Sequence, residues 1–137
     1  MKKKQTNLTL FGIAGLLLMA VVFLVPQKSN EALGGANFLR EYSANPSAVM
    51  LDVRTPGEFS AGHIDKALLI DFENQSFLSE IKKLDPTKTY FVYCRSGNRS
   101  GQAILQMKAN GIKNIHELKG GLVSNKEGIP LVTETGL

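Results

Sequence analysis

The 137-residue sequence has no tryptophan, two histidines and one cysteine, Cys94. A single cysteine cannot close an internal disulfide, so a disulfide scaffold is excluded. A zinc centre lacks the ligands it needs, because His63 and His116 share no recognisable ligand spacing, and a dithiol exchange centre lacks its resolving thiol. No metal and no cofactor is expected. An excess of one charge is also missing from most of the chain. The formal net charge is +4, yet Lys2, Lys3 and Lys4 are three of the 16 basic residues, and without them the basic side chains nearly balance the 12 acidic ones. A chain that grips phosphates spreads basic residues over its folded part, so no nucleic-acid partner is expected. Internal repeats and low-complexity tracts are absent. The 43% hydrophobic content suits one domain of ordinary size, and nothing in the pattern speaks to oligomeric state.

Charge is wholly absent between Lys4 and Lys28, where "LTLFGIAGLLLMAVVFLV" runs from Leu8 to Val25. As a helix this stretch would span about 27 Å, close to the ~30 Å hydrocarbon core of a bilayer. No small-x-small cleavage site precedes Pro26, so residues 1–25 are expected to be an uncleaved signal anchor, with a cleaved signal peptide as the alternative. The positive-inside rule leaves the lysines in the cytoplasm and the rest of the chain on the extracytoplasmic side, periplasmic or outer. After cleavage the product would instead be secreted or periplasmic. Polar residues and glycines make 26–35 a linker, and 36–137 the functional domain.

Within that domain, strand and helix patterns alternate. "ANFLREYSA" has Phe38, Leu39 and Tyr42 at helical spacing and stops before Pro46. Ala48 to Val53 is a continuous apolar run, as a buried strand shows. Thr55 and Pro56 are placed as N-cap and first residue of a short helix. "ALLIDF" reads as a second buried strand, and "SFLSEIKKL" as a helix whose apolar face is Phe77, Leu78, Ile81 and Leu84. "TYFVY" is a third strand. Ala103, Ile104, Met107 and Lys108 mark a helix ending at Asn110-Gly111, and "IKNIHEL" is a fourth strand before the turn at Gly120-Gly121. The alternation predicts an α/β fold with a central parallel sheet flanked by helices. Ligands of such sheets bind beyond the carboxyl ends of the strands.

Cys94 is the first residue past "TYFVY", at such a position. In "CRSGNRS" Gly97 and Asn98 tolerate positive φ, so the chain can curl and aim successive N–H groups inward before a helix expected to begin near Ser100. A helix N-terminus adds unpaired donors and partial positive charge, which completes a small anion cradle. With Arg95 and Arg99 beside it, the field is expected to favour the Cys94 thiolate, the nucleophilic form, without a partner base. The candidate catalytic residue is Cys94; the candidate substrate-binding residues are Arg95, Ser96, Gly97, Asn98, Arg99 and Ser100.

Three motifs in order carry a family resemblance. "LDVRTPGEFSAGHI", Leu51 to Ile64, resembles the upstream D-V-R-x-x-x-E-[FY]-x-x-G-H-I motif of the rhodanese sulfurtransferases, "CRSGNRS" resembles their active-site loop, and "LKGGL", Leu118 to Leu122, resembles the glycine pair after their last strand. The resemblance runs from about Phe38 to about Val132. It implies that Cys94 accepts the outer sulfur of thiosulfate or a similar small anionic donor as a persulfide, then yields it to a thiol or cyanide. It also implies that the loop N–H groups hold the charged sulfur. Asp52 is expected at the rim of the site, Arg54 and Glu58 as a pair with each other, and His63 as a packing residue. Two departures from the family pattern stand out: Asp65-Lys66 replaces a frequent proline and glycine, and the usual first strand is hard to see in "EALGGA". Two other readings stay open. Cysteine-dependent phosphatases and arsenate reductases have five residues between cysteine and arginine, against the four here between Cys94 and Arg99. A non-catalytic binding or sulfur-delivery module is the second.

Overall fold

The structure is a computed structural model that describes residues 31–133. The expected anchor at 1–25 lies outside the described residues. Among the described residues no helix is long and apolar enough to cross a membrane.

Five strands form one sheet: β1 (Ala32–Leu33), β2 (Val49–Asp52), β3 (Leu68–Leu69), β4 (Thr89–Tyr93) and β5 (Asn114–Leu118). Their order is β1-β5-β4-β2-β3, with every neighbouring pair parallel. The helices are α1 (Gly35–Ser43), α2 (Pro56–Ala61), α3 (Phe77–Ile81) and α4 (Asn98–Ala109), and a 3-10 turn covers Leu122–Ser124. Side chains alternate across a strand, and this alternation builds two cores from one sheet. Tyr90, Val92 and Cys94 face the layer containing α3 and α4, packed with Leu51, Ala103, Met107 and Ile115. Phe91 and Tyr93 face the α1 layer with Phe38, Met50 and Leu118. Phe38 and Phe91 meet edge to face at 5.3 Å. Each such fully buried apolar side chain contributes on the order of 1.5–3 kcal/mol by leaving water, which is why the central strand β4 is buried from Tyr90 through Tyr93.

Several sequence expectations need correction. The "linker" contains β1: Ala32 and Leu33 pair with Glu117 and Leu118, so ordered structure begins inside the 26–35 segment. "ALLIDF" contributes only the two-residue edge strand β3, and Leu68 is 45% exposed rather than buried. The helix at 76–84 ends at Ile81, with Leu78 exposed, so only Phe77 and Ile81 of its expected face are fully buried. α4 starts at Asn98, two residues ahead of its expected start near Ser100. The turn at Asp65-Lys66 forms without glycine because Lys66 itself takes φ +61°. The expected cap of α2 is present: Thr55 accepts from the Glu58 N–H at 3.4 Å, and the Glu58 carboxylate accepts from the Thr55 N–H at 3.1 Å.

Candidate functional site

The site is assembled where β4 gives way to α4. Continuing the strand alternation brings Cys94 onto the same face as Tyr90 and Val92, so the thiol is only 1% exposed. Gly97 has φ +98°, a left-handed conformation that reverses the chain and turns its own N–H back onto Cys94 Sγ at 3.0 Å. Sγ also lies 3.4 Å from Ser100 Oγ, in the first turn of α4. Ser100 is fully buried, and its hydroxyl is 2.7 Å from Glu117 Oε1 on β5 and 3.2 Å from the Gly97 carbonyl oxygen.

The cradle is held from outside by the turn after β5. Leu122 N–H donates to the Cys94 carbonyl at 3.1 Å, and Val123 N–H donates to the Arg95 carbonyl at 3.0 Å. This approach requires glycine at 121: its φ is +63°, and a Cβ there would stand 2.5 Å from the Arg95 carbonyl carbon. The glycine pair after the last strand thus shapes the loop that contains the cysteine.

Of the candidate site residues, Cys94, Gly97 and Ser100 converge. Arg95, Ser96 and Asn98 are exposed on the loop and the first turn of α4, and Asn98 Oδ1 accepts from Gln102 Nε2 at 2.7 Å. Arg99 is close enough to feel the Cys94 charge, but it is held by carboxylates. Its guanidinium forms a two-pronged ion pair with Glu58, at 2.6 and 2.8 Å, and reaches Glu73 at 3.4 Å. The hydrogen bond from Arg99 is the main cause that holds the Glu58 carboxyl down at about 2, against burial, with Thr55 assisting. The same pair raises Arg99 above its ordinary value.

The expected pairing of Arg54 with Glu58 is therefore incorrect. Arg54 precedes the helix at a bend, and its side chain folds back onto Asp52, with Nη2 2.7 Å from Oδ2 and a further bond to the Gly62 carbonyl at 2.7 Å. Asp52 is completely buried in this pair and does not form an open rim. Tyr93 lies under the Arg54 guanidinium at 5.6 Å and accepts the Ile64 N–H at 3.0 Å; burial, then Asp52, push its hydroxyl well above the usual tyrosine range. His63 packs as expected, stacked on Phe59 at 3.7 Å with Nδ1 2.9 Å from the Phe59 carbonyl.

Beside the loop a cleft of about 330 Å³ is bounded by Arg95 and Lys126 and by the apolar side chains of Leu122, Val123, Ile129 and Leu131. Sequence reasoning missed Lys126 and Glu117. The signal for Glu117 was present: it falls two residues after Ile115 on the α4-facing side of β5, where a charged residue interrupts the apolar alternation. Among the described residues no cluster of His, Cys, Asp or Glu could hold a metal ion.

Comparison with known proteins places this geometry in context. The profile of the rhodanese-like domain family matches residues 36–127. The chain is 35% identical over 97 residues to an uncharacterized protein of Synechocystis sp., covering 69% of this chain and 52% of that protein. It is 33% identical over 90 residues to a protein named sulfurtransferase from Allochromatium vinosum, covering 64% and 81%. It is also 30% identical over 96 residues to a tRNA uridine(34) hydroxylase from Sodalis glossinidius, covering 64% and 27%. The chain thus spans about half the length of the first of these relatives and about a quarter of the third. The crystal structure of a rhodanese-related protein from Thermoplasma volcanium superposes with a TM-score of 0.66 at 30% identity, covering 76% of this chain and 99% of that one.

Proposed function

The chain belongs to the rhodanese-like domain family, and on that premise we propose that it is a sulfurtransferase of thiosulfate type that works through a Cys94 persulfide. The observation that carries this reading is the Gly97 N–H held 3.0 Å from Cys94 Sγ inside a turn of three residues, Arg95 to Gly97. A turn that short suits a single sulfur better than a larger group, and its backbone donors suit a group that is anionic both as thiolate and as persulfide. The Cys94 thiolate attacks the outer sulfur of thiosulfate, and sulfite leaves with the electron pair of the broken S–S bond. An acceptor thiolate or cyanide then attacks the same sulfur and restores the Cys94 thiolate. Anionic donors approach past Arg95 and Lys126, whose cleft lies beside the loop.

To test this, the purified protein is mixed with thiosulfate and weighed intact. One sulfur is expected on Cys94, removed by cyanide as thiocyanate and absent in Cys94→Ser. Failure of thiosulfate, mercaptopyruvate and polysulfide alike to leave any adduct sinks the reading. The apolar segment Leu8 to Val25 further supports anchoring, with the domain on the extracytoplasmic side. In this layout the protein resembles the periplasmic single-domain rhodanese known as phage shock protein E.

A further inference from the structure

A serine hydroxyl has one proton to give. At Ser100 the two oxygens that its hydroxyl can donate to, Glu117 Oε1 at 2.7 Å and the Gly97 carbonyl at 3.2 Å, are both acceptors, so that proton points away from the sulfur. The 3.4 Å contact between Cys94 Sγ and Ser100 Oγ is then a bond donated by the thiol. Three groups on three elements form a chain with one direction, from thiol to hydroxyl to carboxylate.

The surroundings fit that direction. Glu117 packs against Gly97 and Gly101, where a Cβ would stand 3.9 and 3.8 Å from Oε1. On its other side Glu117 lines a small cleft of about 140 Å³ with Glu31 and Lys108, so a carboxylate in partial contact with solvent is joined through a fully buried hydroxyl to a buried thiol. The other charged groups around the loop are Arg95 on the loop itself and Arg99 on α4, which feels the Cys94 charge, with Glu58 on α2 and Glu73 after β3 behind Arg99. Arg99 is already paired with both of those glutamates. The field of Arg99, which the sequence reading set beside the loop N–H groups and the helix N-terminus as a help to the thiolate, is therefore shared with two carboxylates.

We propose that Glu117, acting through Ser100, accepts the Cys94 proton and holds it between the two half-reactions; the inference rests on the sulfurtransferase reading above. The S–H bond breaks with its electron pair left on Sγ, and the proton passes to Ser100 Oγ as the Ser100 proton passes to Glu117 Oε1. One negative charge moves from carboxylate to sulfur and none is created. The re-formed Ser100 O–H now points at the thiolate, which gains a second donor beside the Gly97 N–H, while the neutral Glu117 carboxyl donates to Ser100. Sulfur uptake and sulfite release need no further proton. When the acceptor takes the sulfur, the regenerated thiolate recovers its proton by the same path reversed. Glu117 is thus a positioning residue that never touches the substrate.

The test follows two reactions of the full-length protein across a pH series: alkylation of Cys94 by iodoacetamide, which reports the nucleophilic sulfur alone, and sulfur uptake from thiosulfate. Glu117→Gln keeps the shape of the side chain but cannot take a proton. Both this variant and Ser100→Ala are expected to slow alkylation and uptake on the order of a hundredfold, the low end for a positioned base. The double variant is expected to be no slower than the slower single one, because both cut the same chain. The pH profile of alkylation is expected to differ between wild type and Glu117→Gln, because the thiol of the variant has to lose its proton to solvent instead of along the chain. A purely structural role would lower the denaturation midpoint without changing the pH profile. Alkylation of Glu117→Gln at the wild-type rate and with the wild-type profile overturns the proposal, as do additive effects of the two substitutions. Should the first variant fold poorly, Ser100→Ala decides the same point by the same two rates. Wild-type protein whose alkylation depends on Glu117 but which takes up no sulfur overturns the sulfurtransferase reading and supports the relay.

Discussion

Gly121 shows how much of the site depends on a residue that carries no chemistry. Its left-handed φ and the 2.5 Å that would separate an added Cβ from the Arg95 backbone leave alanine no room, and the opposing atoms are main chain, which cannot swing aside. Gly121→Ala is expected to cost at least about 1–2 kcal/mol in a denaturant titration, the strain of left-handed backbone, and to slow sulfur uptake by shifting the Arg95-Ser96 peptide. Wild-type uptake in this variant would show that the outer turn does not shape the cradle. At this scale the sequence was legible for residue types and much less so for partners. Cys94, Gly97 and Ser100 were all in the loop that the sequence singled out, but which of its residues meet the sulfur was not visible. Arg54 and Glu58, four apart, suggested a mutual pair, but that pairing needs both residues on one helix. Arg54 precedes the N-cap Thr55 in a bend, where its own N–H donates to Asp52 Oδ1 at 2.9 Å, and so its side chain returns to Asp52.

At the scale of elements, the Glu58–Arg99 pair clamps the start of α4 to α2, so the helix that supplies Ser100 is fixed to the loop region after β2. Glu58 titrates at about 2 when folded against an ordinary 4.5. A carboxyl depressed on folding stabilises the protein above its unfolded value and ceases to do so as pH falls toward its folded one. The denaturation midpoint should therefore decline from pH 4.5 to about 2, and Glu58→Gln should flatten part of that decline. Above pH 4.5 the variant is expected to be less stable by about 1 kcal/mol, allowing for solvent screening of a partly exposed pair. An unchanged acid profile would show that the clamp contributes nothing. Strands β2, β4 and β5 were plain from their apolar runs. β1 and β3 were misjudged because an edge strand of two residues has too little length to show a period, and its identity comes from the neighbour it pairs with.

For the whole molecule, strand order decides where chemistry can occur. β4 occupies the centre of the sheet, with β5 and β1 on one side and β2 and β3 on the other, so its carboxyl end is surrounded by loops from both halves. The parallel α/β class was readable from alternation alone, whereas the approach of β5's Glu117 to Ser100 and of the 121–123 turn to the cysteine loop is a long-range result of that order. The proposed anchor is also tested at this scale. In cells the protein is expected to sediment with membranes and to retain Lys2 to Lys4 by intact mass; a soluble form lacking residues 1–25 would establish cleavage instead.

The hydrogen bonds from Leu122 and Val123 to the carbonyls of Cys94 and Arg95 join main chain to main chain. Geometry secured in that manner is indifferent to the side chains at 95, 96 and 98, all of which face outward. Those three positions can therefore drift in evolution, or be randomised in a library, to alter which donor or acceptor is preferred while the sulfur-holding turn is inherited unchanged.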